Sequence, residues 1–257
     1  MGSGGGLWRF ALVLLEAEKR MLEEVTRVHI VGCGGIGSHL LKVLLRALNA
    51  SRFDGEILLW DGDRYTESNI DRQDFNKFHL NKNKADTQVL ELSKMYPGLT
   101  ILARGEYVTA RNVSHLVHDN ALIFTCVDNH PVRALIDAHA QKCETICVIS
   151  SGNELMTGNT HVYVKNDNRE LTECLSARHP EVLESGDGDR GKLVGCEELV
   201  SRGDEQLLAT NFMAAAVAMN AYEILRGNGK RGGKRKKVIP QEIFFDLGQC
   251  AVSGVMA

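Results

Sequence analysis

Residues 28–37, V-H-I-V-G-C-G-G-I-G, constrain the fold more than any other stretch of the chain. An apolar, β-branched run enters a glycine cluster, and the apolar, leucine-rich segment 38–48 follows at once. That order predicts a buried strand, a tight turn and a helix start. Gly32, Gly34 and Gly37 have G-x-G-x-x-G spacing, and Gly35 adds a fourth glycine. Lacking a Cβ, these residues permit positive φ and let backbone N–H groups approach a phosphate at the positive end of the helix. The motif alone also describes a glycine-rich turn with no ligand, so the residues downstream decide its meaning.

Downstream, strand and helix patterns alternate. Glu56–Trp60 reads as a second parallel strand ending at Asp61, followed by a long polar loop over 62–81. Residues 84–96 carry helical spacing and stop at Pro97-Gly98; 99–103 reads as a strand and 110–117 as a helix. A fourth strand over 121–127, a helix over 131–142 opened by proline, and a fifth strand over 146–150 complete the series. This alternation predicts an α/β fold: a doubly wound, mostly parallel, Rossmann-like sheet with helices on both faces. Ligands of such sheets sit beyond the carboxyl ends of the strands, where the glycines, Asp61 and Asp128 fall.

The second half differs. Residues 160–164 alternate like a partly exposed strand, and 166–205 form a long polar crossover with two cysteines, of a kind that is usually functional or disordered. Residues 207–225 are apolar nearly all round, which predicts a helix buried in the core or at a subunit interface, with a homodimer as the expected assembly. The basic stretch 227–237 reads as a solvated connection, and 242–247 with 249–252 as a C-terminal antiparallel extension, a hairpin around Gly248. Residues 1–6 read as a leader or tag, and 7–257 as a single domain that starts with an amphipathic helix running to about Arg27.

Composition excludes several classes. A formal net charge of −3 gives no general attraction for nucleic acid or anionic membrane. The apolar run 7–15 is far shorter than a spanning helix needs. Seven scattered cysteines, an odd number, suit free thiols in a reducing, cytoplasmic setting.

The residues able to carry chemistry come in a fixed order. Asp61 closes the second strand, where a doubly wound nucleotide site places an acid on the ribose hydroxyls. The context W-D-G-D-R-Y-T-E-S-N-I-D-R-Q-D-F brings Asn69, Arg72 and Gln73 in one loop, and Lys84 opens the next helix. An arginine and a lysine at one triphosphate would neutralise charge as a nucleophile displaces pyrophosphate. Asp128, in T-C-V-D-N, suits Mg²⁺ held by one carboxylate together with phosphate oxygens.

This arrangement of G-x-G-G-x-G, then D-x-D-x(5)-N-x-x-R-Q, then K, then D-N resembles the ThiF/MoeB/HesA family of ubiquitin-activating-enzyme-like adenylyltransferases, from residue 28 to 225. The resemblance implies that Gly32, Gly34, Gly35 and Gly37 line the ATP phosphates and that Asp61, with Asp63 beside it, takes the ribose. It further implies that Asn69, Arg72, Gln73 and Lys84 hold the phosphates, with Lys82 as a substitute if the register slips, and that Asp128 carries Mg²⁺. The expected activity is ATP-dependent adenylation of the C-terminal carboxylate of a ubiquitin-like or sulfur-carrier protein that ends in glycine. A downstream conjugating enzyme or sulfur donor would then receive the product. In relatives that pass the acyl group to sulfur, a cysteine lies in the crossover; here Cys196 in V-G-C-E-E-L fits a thioester nucleophile, with Cys174 as the fallback.

The chain departs from the family pattern twice. It lacks the paired C-x-x-C motifs of zinc-bearing relatives, so no zinc site is expected, and Cys143 and Cys147 stand alone as C-x-x-x-C. It also lacks the N-terminal motif whose arginine reaches a partner subunit, although Arg9, Arg20 and Arg27 are available. The missing zinc pairs and the cysteine in the crossover lean towards bacterial conjugation-type members over molybdopterin or thiamine sulfur transfer. The rival readings are a nicotinamide-dependent oxidoreductase on the same glycine turn, adenylation of a small molecule or tRNA base, and a silent nucleotide-binding scaffold.

Overall fold

Strand β1 (Arg27–Val31) is flanked on both sides by parallel partners, and the rest of the architecture is arranged around it. In the computed structural model, Leu22 and residues 24–70, 73, 75–184, 207–227 and 239–257 are described. Among these, β2 (Glu56–Trp60) and β3 (Thr100–Arg104) extend the sheet to one side of β1, and β4 (Ala121–Thr125) and β5 (Ile146–Asn153) to the other. The chain therefore reverses its winding between β1 and β4, the place where a doubly wound sheet opens a crevice at its carboxyl edge.

Beyond β5 the sheet turns antiparallel through β6 (Thr157–Asn166), β8 (Pro240–Asp246) and β9 (Ala251–Met256), with short β7 (Arg169–Glu170) on the flank of β6. Two apolar cores cover its faces. One holds residues of α1 (Gly35–Ala50), α2 (Lys84–Met95) and α7 (Leu208–Leu225), including Leu40, Leu44, Leu92 and Ala218. The other takes α3 (Val113–Leu116) and α4 (His130–Ala140) through Leu116, Val132 and Ile136. Short helices α5 (Leu175–Arg178) and α6 (Glu181–Glu184) follow β7. The expected α/β fold, with helices on both faces and an antiparallel C-terminal extension, is present.

Several expectations need correction. The helix after the glycines begins at Gly35, not at residue 38, so the glycine turn itself supplies the first helical turn. The helix expected over 110–117 shrinks to α3, because the Asn112 side chain binds Thr109 N and Tyr107 O, a turn that competes with helix. The loop over 62–81 contains two one-turn 3₁₀ segments, Glu67–Asn69 and Lys77–His79. Arg27 opens β1 and is not part of a preceding helix; most of that expected helix, 7–21, lies outside the described residues.

The strand expected to be partly exposed is the largest miss. Residues 160–164 are all buried in the middle of β6, which is paired on both edges. Their polar members look like an exposed face but are satisfied inside: Thr160 by Ser151 Oγ and His161 Nε2 by Gln241 Nε2 at 3.0 Å. The crossover 166–205 is described only to 184, where it forms β7, α5 and α6. The hairpin around Gly248 is present, with Cys250 at φ +51° inside its turn. No described helix is long and apolar enough to cross a membrane.

Under β1 lies a buried imidazole relay. Trp60 Nε1 donates to His29 Nδ1 at 3.1 Å, which leaves the proton of a neutral His29 on Nε2. That atom donates to His118 Nε2 at 3.3 Å, and His118 Nδ1 donates to Asp119 O at 2.9 Å. Burial, reinforced by His118 and nearby arginines, pushes His29 down to about 3, and burial pushes His161 down to about 4. The unfolded chain protonates these rings below about pH 6.5 while the folded chain does not, so stability falls as pH drops from there towards 4. The loss for His29 alone is on the order of 2 kcal/mol at pH 5. Urea unfolding at pH 7.5 and pH 5 should show a lower midpoint at pH 5 and a flatter dependence in His29→Asn; equal midpoints would contradict the relay.

Candidate functional site at the carboxyl edge of the sheet

The turn after β1 is built by close approach. Gly32 has φ +91°, and a Cβ there would lie 2.9 Å from Cys126 O. Its N–H donates to Trp60 O at 2.8 Å. Gly37 does not line the cleft: a Cβ on it would sit 1.9 Å from Gly32 O, so its glycine serves helix–strand packing. Gly34 is the N-cap of α1, has no capping side chain, and the first turn of α1 carries no acid. The helix therefore presents its positive end to the cleft without an internal counter-charge.

Asp61 ties this turn to β2. Its Oδ2 accepts from Cys33 N at 2.7 Å and its Oδ1 from Asp63 N at 2.8 Å. Burial raises its pKa, opposed by Lys84 and by the two backbone donors. Each oxygen keeps a further acceptor position.

The start of α2 is fixed to the same loop. Asn83 caps α2 by accepting from Asp86 N at 3.0 Å, and its Nδ2 donates to Asp61 O at 2.9 Å and Asp63 O at 3.1 Å. Lys84, only 7% exposed in its side chain, reaches Asp63 Oδ2 at 3.1 Å. Tyr107 OH donates to the other oxygen of Asp63, and the Tyr107 ring occupies the space a Cβ on Gly62 would need. Asn69 is buried and accepts from Thr66 N at 3.1 Å, shaping the 3₁₀ turn that leads to Gln73. Gln73 is buried beside Gly34, and its Oε1 has no partner among the described residues.

Asp128 lies three residues beyond β4, just before Asn129, whose side chain caps α4 by accepting from Val132 N at 3.1 Å. Under it lies Arg133, whose guanidinium donates to Val127 O, Ser150 Oγ at 2.9 Å and Ser151 O, knitting the ends of β4 and β5 together. Gly32, Gly34, Gly35, Asp61, Asp63, Asn69, Gln73, Lys84 and Asp128 all line one cleft of about 1280 Å³. The cleft continues over β6 and β8 past Asn159, His161 and His179. There Glu242, with a side chain 1% exposed, accepts from Asn159 Nδ2 and from His179 Nε2 at 2.7 Å.

Two residues named from the sequence, Arg72 and Cys196, lie outside the described residues. Cys174 is off the cleft, packed partly against the second core with Sγ 3.6 Å from Ser176 Oγ. Cys143 and Cys147 join opposite cores of the sheet and do not face each other. No three His, Cys, Asp or Glu groups among the described residues are placed to share a metal ion. Sequence reasoning missed Arg133, Tyr107, Asn153 and Asn211. An arginine in the first turn of a helix opened by N-H-P, and an asparagine near the start of the alanine-rich run 207–225, are the signals that could have found two of them.

Fold and cleft define a doubly wound α/β protein with an anion-ready helix end and a carboxylate at its topological switch point. The chain belongs to the ThiF family, whose model matches residues 9–250. It is 26% identical over 151 residues to a molybdopterin-synthase adenylyltransferase of Salmonella typhimurium, covering 58% of each chain. Against a rice ubiquitin-like modifier-activating enzyme 5 it is 25% identical over 177 residues, 63% of this chain and 40% of that one. The match thus spans little more than half the length of the first relative and less of the second. The crystal structure of Escherichia coli MccB with ATP superposes with a TM-score of 0.66 at 17% identity, covering 92% of this chain and 66% of that one, a likeness of fold.

A Cβ on Gly35 would lie 2.6 Å from Asn211 Nδ2, so this glycine answers to a buried side chain of α7. Gly35→Ala should lower stability by about 1–3 kcal/mol through overpacking, and adding Asn211→Ala should cost less than the sum of the two single changes. Denaturant unfolding of the three variants measures this; strictly additive losses would separate Gly35 from Asn211.

Proposed function

We propose that the chain is an ATP-dependent adenylyltransferase that activates the C-terminal carboxylate of a ubiquitin-like or sulfur-carrier protein. The observation carrying this reading is that a ThiF-family chain gathers Asp61, Lys84 and Asp128 in one cleft with an uncapped helix N-terminus. The names of its relatives, an adenylyltransferase and a modifier-activating enzyme, support the same class.

A carboxylate is a poor electrophile because its charge repels nucleophiles and it has no good leaving group. Its oxygen attacks the α-phosphorus of ATP, an O–P bond forms, and the bond to pyrophosphate breaks. The acyl carbon then carries AMP as a leaving group. Such a step asks for positioning and charge stabilisation and no side-chain nucleophile. Asp61 holds the ribose; the glycine turn and the start of α1 take the phosphates; Lys84 and Arg72 draw off the charge that develops on pyrophosphate. Gln73 Oε1, which has no partner among the described residues, and the carboxylate of Asp128 line the cleft in which a phosphate-bound ion would be held. Mg²⁺ bound there would screen the phosphates from the incoming carboxylate.

In the second step a Cys196 thiolate attacks the acyl carbon, AMP departs, and a thioester awaits a downstream conjugating enzyme or sulfur donor. A cytoplasmic setting suits the free cysteines. A homodimer suits the exposed Leu208 and Phe212 on α7.

Exchange of labelled pyrophosphate into ATP, dependent on a candidate carrier, tests the first step. Asp128→Ala and Arg72→Ala should abolish exchange and Lys84→Ala reduce it about 100-fold or more; normal exchange in any of them would contradict its role. Cys196→Ser should keep exchange and lose any DTT-sensitive carrier adduct. An adduct that survives in that variant would rule Cys196 out as the nucleophile.

A further inference from the structure

Asn153 and Asn211 form a pair of carboxamides between the two halves of the cleft. Asn211, fully buried in the first turn of α7, accepts from Asn153 Nδ2 at 3.1 Å. Next to it, Thr210 Oγ1 donates to Leu155 O at 2.7 Å, so the same turn grips the connection between β5 and β6. On its other side Asn211 packs against Gly35, at the start of α1. One helical turn thus fixes the phosphate end of the cleft relative to the end of β5.

Asn153 is the last residue of β5 and lines the cleft. The last pair between β4 and β5 is Thr125↔Ser150, and Asp128 and Asn153 each follow it by three residues and line the same cleft. Its Nδ2 is committed to Asn211, with Glu154 O a longer 3.5 Å away. The remaining polar atom is Oδ1, to which no described residue donates. On the adenylation reading, with the reacting phosphate beside Asp128, an acyl donor lying over the antiparallel half of the cleft passes the end of β5, where this oxygen stands. If that donor is a peptide, the terminal residue arrives with a main-chain N–H that loses water there and needs an acceptor.

We propose that Asn153 Oδ1 accepts a hydrogen bond from the main-chain N–H of the acyl donor's terminal residue, and that Asn211 is the positioning residue that turns the Asn153 carboxamide towards it. This inference rests on the adenylation reading and narrows its substrate class. The site takes a carboxylate carried on a peptide chain with an unsubstituted amide, in preference to a free acid or an N-alkylated terminus.

Two stable mimics of an acyl adenylate isolate that one N–H: N-acetylglycyl-sulfamoyladenosine and its N-methyl counterpart, N-acetylsarcosyl-sulfamoyladenosine. Calorimetric titration of the native protein should give about five- to tenfold tighter binding of the glycyl compound. In Asn153→Ala and in Asn211→Ala the ratio should fall to within about twofold, and the double variant should lose no more discrimination than either single one. A role of Asn211 in folding alone would lower the melting temperature and leave the ratio intact. Asn153→Ala, at a partly exposed position, reports even if Asn211→Ala does not fold. Equal binding of the two mimics by the native protein, or undiminished discrimination in Asn153→Ala, would overturn the proposal. Binding of neither mimic and no binding of ATP would instead remove the adenylation reading, and this inference with it.

Discussion

The carboxylate of Asp61 is the joint on which the cleft depends. By accepting Cys33 N–H and Asp63 N–H together, it fixes the glycine turn of β1 against the loop that leaves β2. Without it two backbone donors beneath the cleft would lose their partners, at a cost of about 1–3 kcal/mol each for an unsatisfied buried group. Asn83 repeats the device from the other side, donating to the carbonyls of Asp61 and Asp63 while it caps α2. Lys84 therefore enters the cleft on a helix whose first turn is anchored to the same loop as the acid. Its ammonium, shielded from water and paired with Asp63, is held in place by Tyr107 acting through that carboxylate. These bonds hold the acid and the ammonium in fixed positions, the condition under which charges act most strongly on a reacting centre.

The cleft divides at the winding reversal. On the β1–β2 side lie the glycine turn, Asp61 and Lys84; on the β5–β6–β8 side lie Asn153, Asn159 and the His179–Glu242 pair. Arg133 sits under the boundary and joins the backbone ends of β4 and β5, so that Asp128 projects from a braced edge. On the adenylation reading, the first side takes the nucleotide and the second the acyl chain. The antiparallel half of the sheet then has a functional reason: it extends the floor beyond the nucleotide to support an extended tail.

Much of this was legible in the sequence because it is written in local rules. The strand–glycine–helix order, the closing Asp61, and Lys84 at a helix start are short-range signals, and the structure brings Asp61, Lys84 and Asp128 to one cleft. Less legible were the features that depend on distant partners. Thr160 and His161 made β6 look half exposed, yet Ser151 and Gln241, 9 and 80 residues away, satisfy them inside the sheet. Asn211 does not show its partners in the apolar run 207–225; its role follows from Gly35 and Asn153, which stand on either side of it. The family resemblance puts Gly37 at the phosphates, whereas Gly32 O fills the space a Cβ on Gly37 would need, which makes it a packing residue. Pattern reveals the strand or helix to which a residue belongs, but the partner of a buried polar group is set by topology.

The central claim is that this carboxyl edge receives a nucleoside triphosphate and not a dinucleotide. Thermal unfolding of the native protein, titrated in parallel with ATP plus Mg²⁺ and with NAD⁺, tests it most directly. A saturable rise in melting temperature with ATP and none with NAD⁺ is the result this account predicts. A rise with NAD⁺ and none with ATP would contradict it.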